Sequence, residues 1–330
     1  MPAYPLGVSR LRKELREAAL TLAALVSLGA VPLTALGLNP QWQLTSRWVT
    51  MAASFLPYGL VAWGFVGLMV LLAGRGWWKL LVLPAVAGVV AHAWLAAPYW
   101  PSPAPEASGA RLTIMSVNLY YGWGDGELPQ KTAELRPDVV VVQEITYDAL
   151  GRLDARGWAQ QYPYRVGEPA EDWDAGGAMV FSTRPLTELE PGQESGVRQV
   201  LRLDVEGRPL TVVAVHTTNP VVGFDAWQSE LDAVAAAALR QSGPLVVVGD
   251  FNATRDHVPM QQLLARTGLE GATEEAGVGW APTFGTRYSP AVIAIDHVLT
   301  SGHLTTAAIS TFGVPGSDHR GMVAQVAMDA

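Results

Sequence analysis

The chain has 330 residues, of which 49% are hydrophobic and 16% charged, with no cysteine and a formal net charge of −8. This is too apolar for one soluble domain and too polar for a protein held wholly within a membrane, and it offers no thiolate for a soft metal. The charge is also unevenly placed: residues 1–110 carry seven Lys/Arg against three Asp/Glu (+4), and residues 111–330 carry 15 against 27 (−12), so two environments are expected.

Three long uncharged runs come first, Ala18 to Leu38, Trp48 to Gly74 and Leu80 to about Pro98. Each is near or above the roughly 20 residues that cross a hydrocarbon layer of about 30 Å, so three spanning helices are expected over residues 18–38, 48–74 and 80–98. Buried soluble helices are a weaker account, because uncharged runs this long are rarely needed in a core that water borders. A cleavable signal is an alternative for the first run, which follows Arg10, Arg12, Lys13 and Arg16, although Ala35-Leu36-Gly37 is a poor cleavage site. Those four cations, with Arg75 and Lys79 between the second and third runs and only Arg47 in the intervening loop, predict a cytoplasmic N-terminus. Three crossings then leave everything after residue 100 outside the cytoplasmic membrane, tied to the lipid bilayer through residues 18–98.

Residues 101–110 begin with Pro101-Ser-Pro-Ala-Pro and read as a semi-extended linker between a membrane domain, 1–100, and a second domain, 111–330. From Arg111 the pattern changes to short apolar strands: Leu112 to Asn118, Val139 to Gln143, Ala178 to Phe181, Thr211 to His216, Leu245 to Val248, Ala294 to Leu299 and Met322 to Val326. Helices are expected around Gln130 to Leu135, Trp227 to Arg240 and Pro259 to Arg266. This alternation predicts sheets covered by helices.

The strand ends carry the chemistry. "IMSVNLYYG" holds Asn118, "VVVVQEI" Glu144, "VVAVHTTN" His216, "VVVGDFN" Asp250 and Asn252, "IAIDHVL" Asp296, and "GSDHRG" Asp318 and His319. Singly, each has an ordinary explanation as a turn residue, a helix first-turn acid or a satisfied core histidine. Together they are hard to assign to chance, because buried carboxylates cost free energy unless they share a cation or hydrogen-bond donors.

In order and local sequence, NLYYG, QE, GGAMVFSTRP, GDFNAT, IDHVL and SDHRG resemble the endonuclease/exonuclease/phosphatase superfamily, the DNase I-like phosphodiesterases, over nearly all of residues 111–330. The resemblance implies an α/β (α+β) four-layer sandwich: two β-sheets face to face, flanked by helices, with one divalent-metal site at the sheet edge. Glu144 is then the first metal ligand for Mg²⁺ or Mn²⁺, with Asn118 and Asp318 close by, directly or through water. Hydrolysis of a phosphodiester needs a hard cation, a way to deprotonate water and donors for the transition state. Asp250 is expected to position the water and Asn252 to donate to a phosphoryl oxygen. Asp296 orients His319, with His216 across the phosphate; whether Asp250 or His319 is the base stays open. Some relatives pair the first histidine with an acid, for which Glu168, Glu171, Asp172 and Asp174 are candidates. His297 is expected to be structural, on the opposite face of its strand.

The substrate is less legible. A domain of charge −12 with one lysine, Lys131, lacks an evident phosphate track for duplex nucleic acid, unless Arg184, Arg255, Arg287 and Arg320 cluster. Membrane tethering favours a phospholipid head group as the phosphodiester, with a nuclease acting on extracytoplasmic DNA or RNA as the alternative. A non-catalytic, membrane-anchored binding module is the reading from another class. It is disfavoured because no residue of the set is missing. Trp123, Trp158, Trp173 and Trp280 suit lipid contact, base stacking or packing. No partner protein is expected.

Overall fold

The apolar runs near the N-terminus are helical in the computed structural model, which describes residues 6–190, 196–286 and 288–328. Helices α1 (Leu6–Leu38), α2 (Arg47–Ala53), α3 (Gly59–Ala73) and α4 (Val82–Leu95) belong to the first of two compact units, Met1–Pro98 and Tyr99–Ala330. Three stretches, Arg10–Leu38, Leu56–Ala73 and Gly76–Leu95, are long and apolar enough to cross a membrane. The run from Trp48 to Gly74, expected from its composition to be one spanning helix, is instead broken. Helix α2 stops at Ala53, and Pro57, which has no N–H to donate, lies in a short 3-10 turn before α3. The third stretch likewise starts at Gly76 and ends at Leu95, short of Pro98.

Polar groups among these helices satisfy one another. Trp63 Nε1 donates to Thr34 Oγ1 at 2.7 Å, Thr34 Oγ1 lies 2.9 Å from His92 Nε2, and His92 Nδ1 lies 2.9 Å from the carbonyl of Leu56. The Trp63 ring fits against α4 because residue 88 is glycine, where any Cβ would collide with the indole. Small residues at such crossings permit this close approach.

In the second unit the chain runs β1 (Arg111–Asn118), α5 (Leu128–Leu135), β2 (Val139–Gln143), α6 (Tyr147–Asp154), α7 (Trp158–Gln161), β3 (Tyr164–Glu168), β4 (Ala178–Ser182) and β5 (Thr187–Glu190). It continues β6 (Val197–Val205), β7 (Arg208–His216), α8 (Phe224–Arg240), β8 (Leu245–Asp250), α9 (Val258–Thr267), β9 (Glu270–Gly271) and α10 (Ala272–Glu275). The last strands are β10 (Phe284–Thr286), β11 (Ser289–Ile293), β12 (Asp296–Thr300), β13 (Leu304–Gly313) and β14 (Arg320–Met328). One sheet has the order β13-β14-β1-β2-β4-β3 and the other β5-β6-β7-β8-β12-β9, with β10-β11 a separate hairpin. Both six-stranded sheets are mixed, with β1 parallel to β2 and β7 parallel to β8.

Period-two alternation decides which face each residue buries. Leu112 and Ile114 join Leu201, Leu203, Val212, Val246 and Val248 in the layer between the two sheets. Met115 and Val117 face the other way, onto Leu128, Ala149, Leu153 and Trp158 of α5 to α7. Val213, Val215 and Val247 pack on Trp227, Leu231, Met260 and Leu263 of α8 and α9. Helix, sheet, sheet and helix therefore stack as four layers.

The strand expected from Ala294 to Leu299 starts at Asp296. Thr283 Oγ1 takes the N–H groups of both Ile295 and Asp296, at 3.1 Å each, where the chain enters the sheet. The expected linker is also docked onto the second unit near its ends: Ser102 N donates to Gly277 O at 3.1 Å and Met328 N to Ala110 O at 2.8 Å.

Candidate active site

Strand register gathers the polar strand ends. His216 on β7 lies opposite Asp250 on β8, and Asp296 on β12 lies opposite Asp250 from the other side, so three such residues stand in a row on one sheet. Gly249 (φ 144°) permits this packing, since a Cβ there would strike the carbonyl of Val215. On the other sheet, Asn118 ends β1 beside Gln143, the residue before Glu144.

Asn118 joins the two sheets. Its Nδ2 donates to Glu144 Oε1 at 3.0 Å and to Asp250 Oδ2 at 3.1 Å, while its Oδ1 accepts from Tyr120 N at 2.9 Å. It therefore presents donors to two carboxylates. Glu144 adopts a left-handed backbone (φ 54°) and its Oε2 accepts from Tyr121 N at 2.9 Å. Such strain in a non-glycine residue persists only where surrounding contacts hold it.

The SDH loop arrives from the last strand. Ser317 Oγ donates to Asn118 O at 2.8 Å and accepts from His319 N at 3.0 Å, which pins the loop to the end of β1. His319 Nδ1 then lies 2.9 Å from Asp296 Oδ2, and its Nε2 lies 3.7 Å from Asp250 Oδ2 and 4.0 Å from Asp318 Oδ1. Asp318 Oδ1 is buried without a hydrogen-bond partner. His216 Nε2 lies 4.0 Å from both Glu144 Oε1 and Asp250 Oδ2. Asn252, also left-handed (φ 46°), donates its backbone N–H to Asp250 Oδ1 at 2.8 Å and its Nδ2 to Thr217 O at 2.9 Å. Asp250, Asp296 and His319 bring ligand-type atoms within 4.8 Å of one another.

Burial dominates the proton affinities. It opposes charge on His319, yet Asp296 and Asp250 overcome it and hold the imidazole pKa at about 10. Burial, with Arg198 nearby, pushes His216 down to about 3, so the two histidines are a cation and a neutral donor at neutral pH. Burial raises Glu144 and Asp318, and burial with the neighbouring Asp296 raises Asp250.

Other expectations fare differently. His297 turns away and its Nε2 lies 2.7 Å from Ala253 O. Glu168, Glu171, Asp172 and Asp174 are all exposed, and His216 Nδ1 has no hydrogen-bond partner, so none of these acids pairs with it. Arg184 pairs with Asp138, Arg255 with Glu274, and Arg320 bonds to Thr311, so these arginines do not form one cluster; Arg287 lies outside the described residues. Trp158 is core, and Trp280 packs edge-on against Tyr99, whereas Trp123 and Trp173 are exposed side by side.

One residue escaped the sequence reading. Arg198 occupies a bulge in β6 between Val197, opposite Val215, and Gln199, opposite Ala214. Its Nε donates to the carbonyl of His216 at 3.3 Å, and no carboxylate lies within 4.0 Å of it among the described residues. Bulges re-aim side chains beside active sites, and spacing alone gives no signal for one.

The Endonuclease/Exonuclease/phosphatase family profile matches residues 115–319. A UPF0294 protein of Vibrio parahaemolyticus is 30% identical over 115 residues, which is 34% of this chain and only 38% of that relative. Among solved structures, Danio rerio TDP2 complexed with a single strand DNA product superposes with a TM-score of 0.52 at 15% identity, covering 66% of this chain and 98% of that one. The mannosyl-6-phosphatase of Bacteroides thetaiotaomicron gives 0.50 at 16% identity, covering 66% and 100%. Identities this low speak for the fold, which is DNase I-like. With the profile spanning well over half of its length on that fold, the chain belongs to the endonuclease/exonuclease/phosphatase family.

Proposed function

We propose that this chain is a membrane-anchored, divalent-metal-dependent phosphodiester hydrolase whose catalytic unit lies outside the cytoplasmic membrane. One observation carries the reading: Glu144, Asp250, Asp296 and Asp318 converge at one edge, and no Lys or Arg lies within 4.0 Å of any of them among the described residues. The one imidazolium, His319, cannot balance four carboxylates, and the negative charge that remains suits a hard cation.

The residues fit such an ion. Asp318 Oδ1 is buried and unpartnered, and the Glu144 side chain remains 13% exposed with no cationic side chain bonded to it among the described residues. We place the ion against Glu144 and Asp318. The Asp250, Asp296 and His319 group is a poorer seat, because an imidazolium has no lone pair to offer and Asp296 Oδ2 is already engaged by it. Asn118, presenting donors, orients Glu144 and Asp250. When bound, Mg²⁺ or Mn²⁺ supplies positive charge to the phosphoryl oxygens.

The chain's own groups divide the remaining work. Asp250 accepts the proton of the attacking water as its oxygen bonds to phosphorus. Asn252 and the neutral His216 donate hydrogen bonds to phosphoryl oxygens, and the free donors of Arg198 add charge there. His319, held by Asp296, keeps a proton at Nε2 for the departing alkoxide as the bond from phosphorus to that oxygen breaks.

Three apolar helices and the scarcity of lysine support a membrane-borne diester over a polynucleotide. The nucleic-acid reading rests on the fold shared with a TDP2 that holds a DNA product. Both are tested by assaying the detergent-solubilised chain with Mg²⁺ or Mn²⁺ against bis-p-nitrophenyl phosphate, phospholipid vesicles and plasmid DNA. We expect cleavage of the first two and slow, weakly salt-dependent attack on DNA. Rapid plasmid cleavage losing roughly a thousandfold in affinity between about 50 and 200 mM salt would install the nuclease reading.

A further inference from the structure

Tyr121 has two faces in the site. Its N–H donates to Glu144, and its side chain walls a separate cavity of about 160 Å³ together with Trp123, Trp173, Asp148, Asp172 and Arg152. The rings form one cluster: Trp123 and Trp173 meet edge to face at 5.0 Å, and Tyr121 lies 6.3 Å from each. They are not core packing, for Trp173 is 73% and Trp123 37% exposed. Tyr120, Tyr121 and Trp173, at φ 50°, 54° and 67°, make up three of the seven non-glycine residues with positive φ among those described. The fold therefore holds these aromatic side chains in place at a backbone cost.

The polar wall is negative. Arg152 is already engaged, with Nε and Nη2 each 3.1 Å from the two oxygens of Asp125 and Nη2 also 3.0 Å from the carbonyl of Gly122. Asp148 and Asp172 have no ion pair or hydrogen bond from their side chains among the described residues, and both act on Arg152 only through space. A further phosphate, such as the next one of a polynucleotide, would meet these two acids without a free cation. A compact cation would meet carboxylates beside a cluster of three aromatic rings, the combination that recognises quaternary ammonium groups. The volume suits one small group, since a cavity of roughly 150 Å³ holds a benzene-sized ligand.

We propose that this cavity is the subsite for a quaternary ammonium alcohol of choline type on one arm of the phosphodiester, bound by Tyr121, Trp123 and Trp173 against Asp148 and Asp172. The proposal names the substrate class and rests on the hydrolytic reading above.

The test compares p-nitrophenylphosphorylcholine with bis-p-nitrophenyl phosphate on the solubilised full chain; both release p-nitrophenolate, so the ratio of their kcat/KM values reads the other arm. We expect the choline ester to be preferred and the ratio to fall about tenfold in Trp173→Ala and in Asp172→Asn. A ratio unmoved by either change, or a preference for thymidine p-nitrophenyl phosphate, overturns the assignment. Calorimetric titration gives a readout independent of turnover: choline chloride should bind the native chain and not Trp173→Ala, and its uncharged isostere 3,3-dimethylbutan-1-ol should bind neither. Equal binding of the two ligands overturns the cation assignment. Failure of the chain to hydrolyse either ester defeats the hydrolytic reading instead, and the titration still decides the cavity.

Discussion

His319 Nδ1 lies 2.9 Å from Asp296 Oδ2, and this contact reaches from the loop before β14 to the first residue of β12 on the opposite sheet. It holds the imidazole with its other nitrogen toward Asp250 and keeps it charged despite its burial.

Asp296→Asn should therefore change the pH profile as well as the rate. Deprotonation of His319 sets the alkaline limb of kcat/KM, which the raised pKa of about 10 carries well above that of an ordinary histidine. The acid limb belongs to Asp250, which burial raises, so activity should climb only above the usual carboxylate range. In Asp296→Asn the alkaline limb should move toward about pH 6.5 and kcat should fall by roughly 10²–10⁴. An alkaline limb that stays in place would detach His319 from this role.

Arg198→Gln should raise the pKa of His216, because the arginine is one of the charges that holds it down at about 3. It should also lower kcat/KM by roughly 10–100-fold, the scale of a charged hydrogen bond to phosphate. Titration of labelled histidine by NMR checks the first effect independently of turnover.

Glu144→Gln preserves shape and removes a charge. Calorimetry should show Mn²⁺ affinity falling by at least about tenfold, and activity should collapse as it does with EDTA. Retained metal binding in the variant would move the ion to the Asp250 side.

Asp256 gives a stability test away from the site. Its Oδ2 accepts from the Tyr99 hydroxyl at 2.7 Å, and burial raises its pKa to about 7. An unfolded aspartate ionises near 3.9, so the folded state is handicapped progressively as pH rises from about 4 to 7 and fully above that, by up to about 4 kcal/mol. Asp256→Asn keeps an acceptor for Tyr99 without the charge. Its melting temperature should fall less than that of the native chain between pH 5 and pH 8.

The orientation proposed from the positive residues is tested by protease added to intact spheroplasts. Digestion should remove the segment after residue 105, whereas complete protection would reverse the topology.

Much of the fold was legible because its signals are local. Val139 to Gln143 is an apolar run bounded by turn residues, and β2 occupies those same five positions. Edge strands were not legible: β3, Tyr164–Glu168, is half exposed and carries Arg, Gly and Glu, so no alternation marks it. Pro57 was visible in the sequence, but a hydropathy count passes over it, and the break between α2 and α3 appears only when backbone hydrogen bonding is considered.

What the sequence by itself determined is which polar residues follow which apolar runs, and hence that Asn118, Glu144, His216, Asp250, Asp296 and His319 stand at strand ends. Tertiary structure alone decided who meets whom. Asn118 bridges to Asp250 across 132 positions of chain, and Arg198 reaches the carbonyl of His216 through a bulge. Register between distant strands sets both contacts, and it follows from side-chain packing across the whole sheet, a non-local quantity that no short window of residues contains.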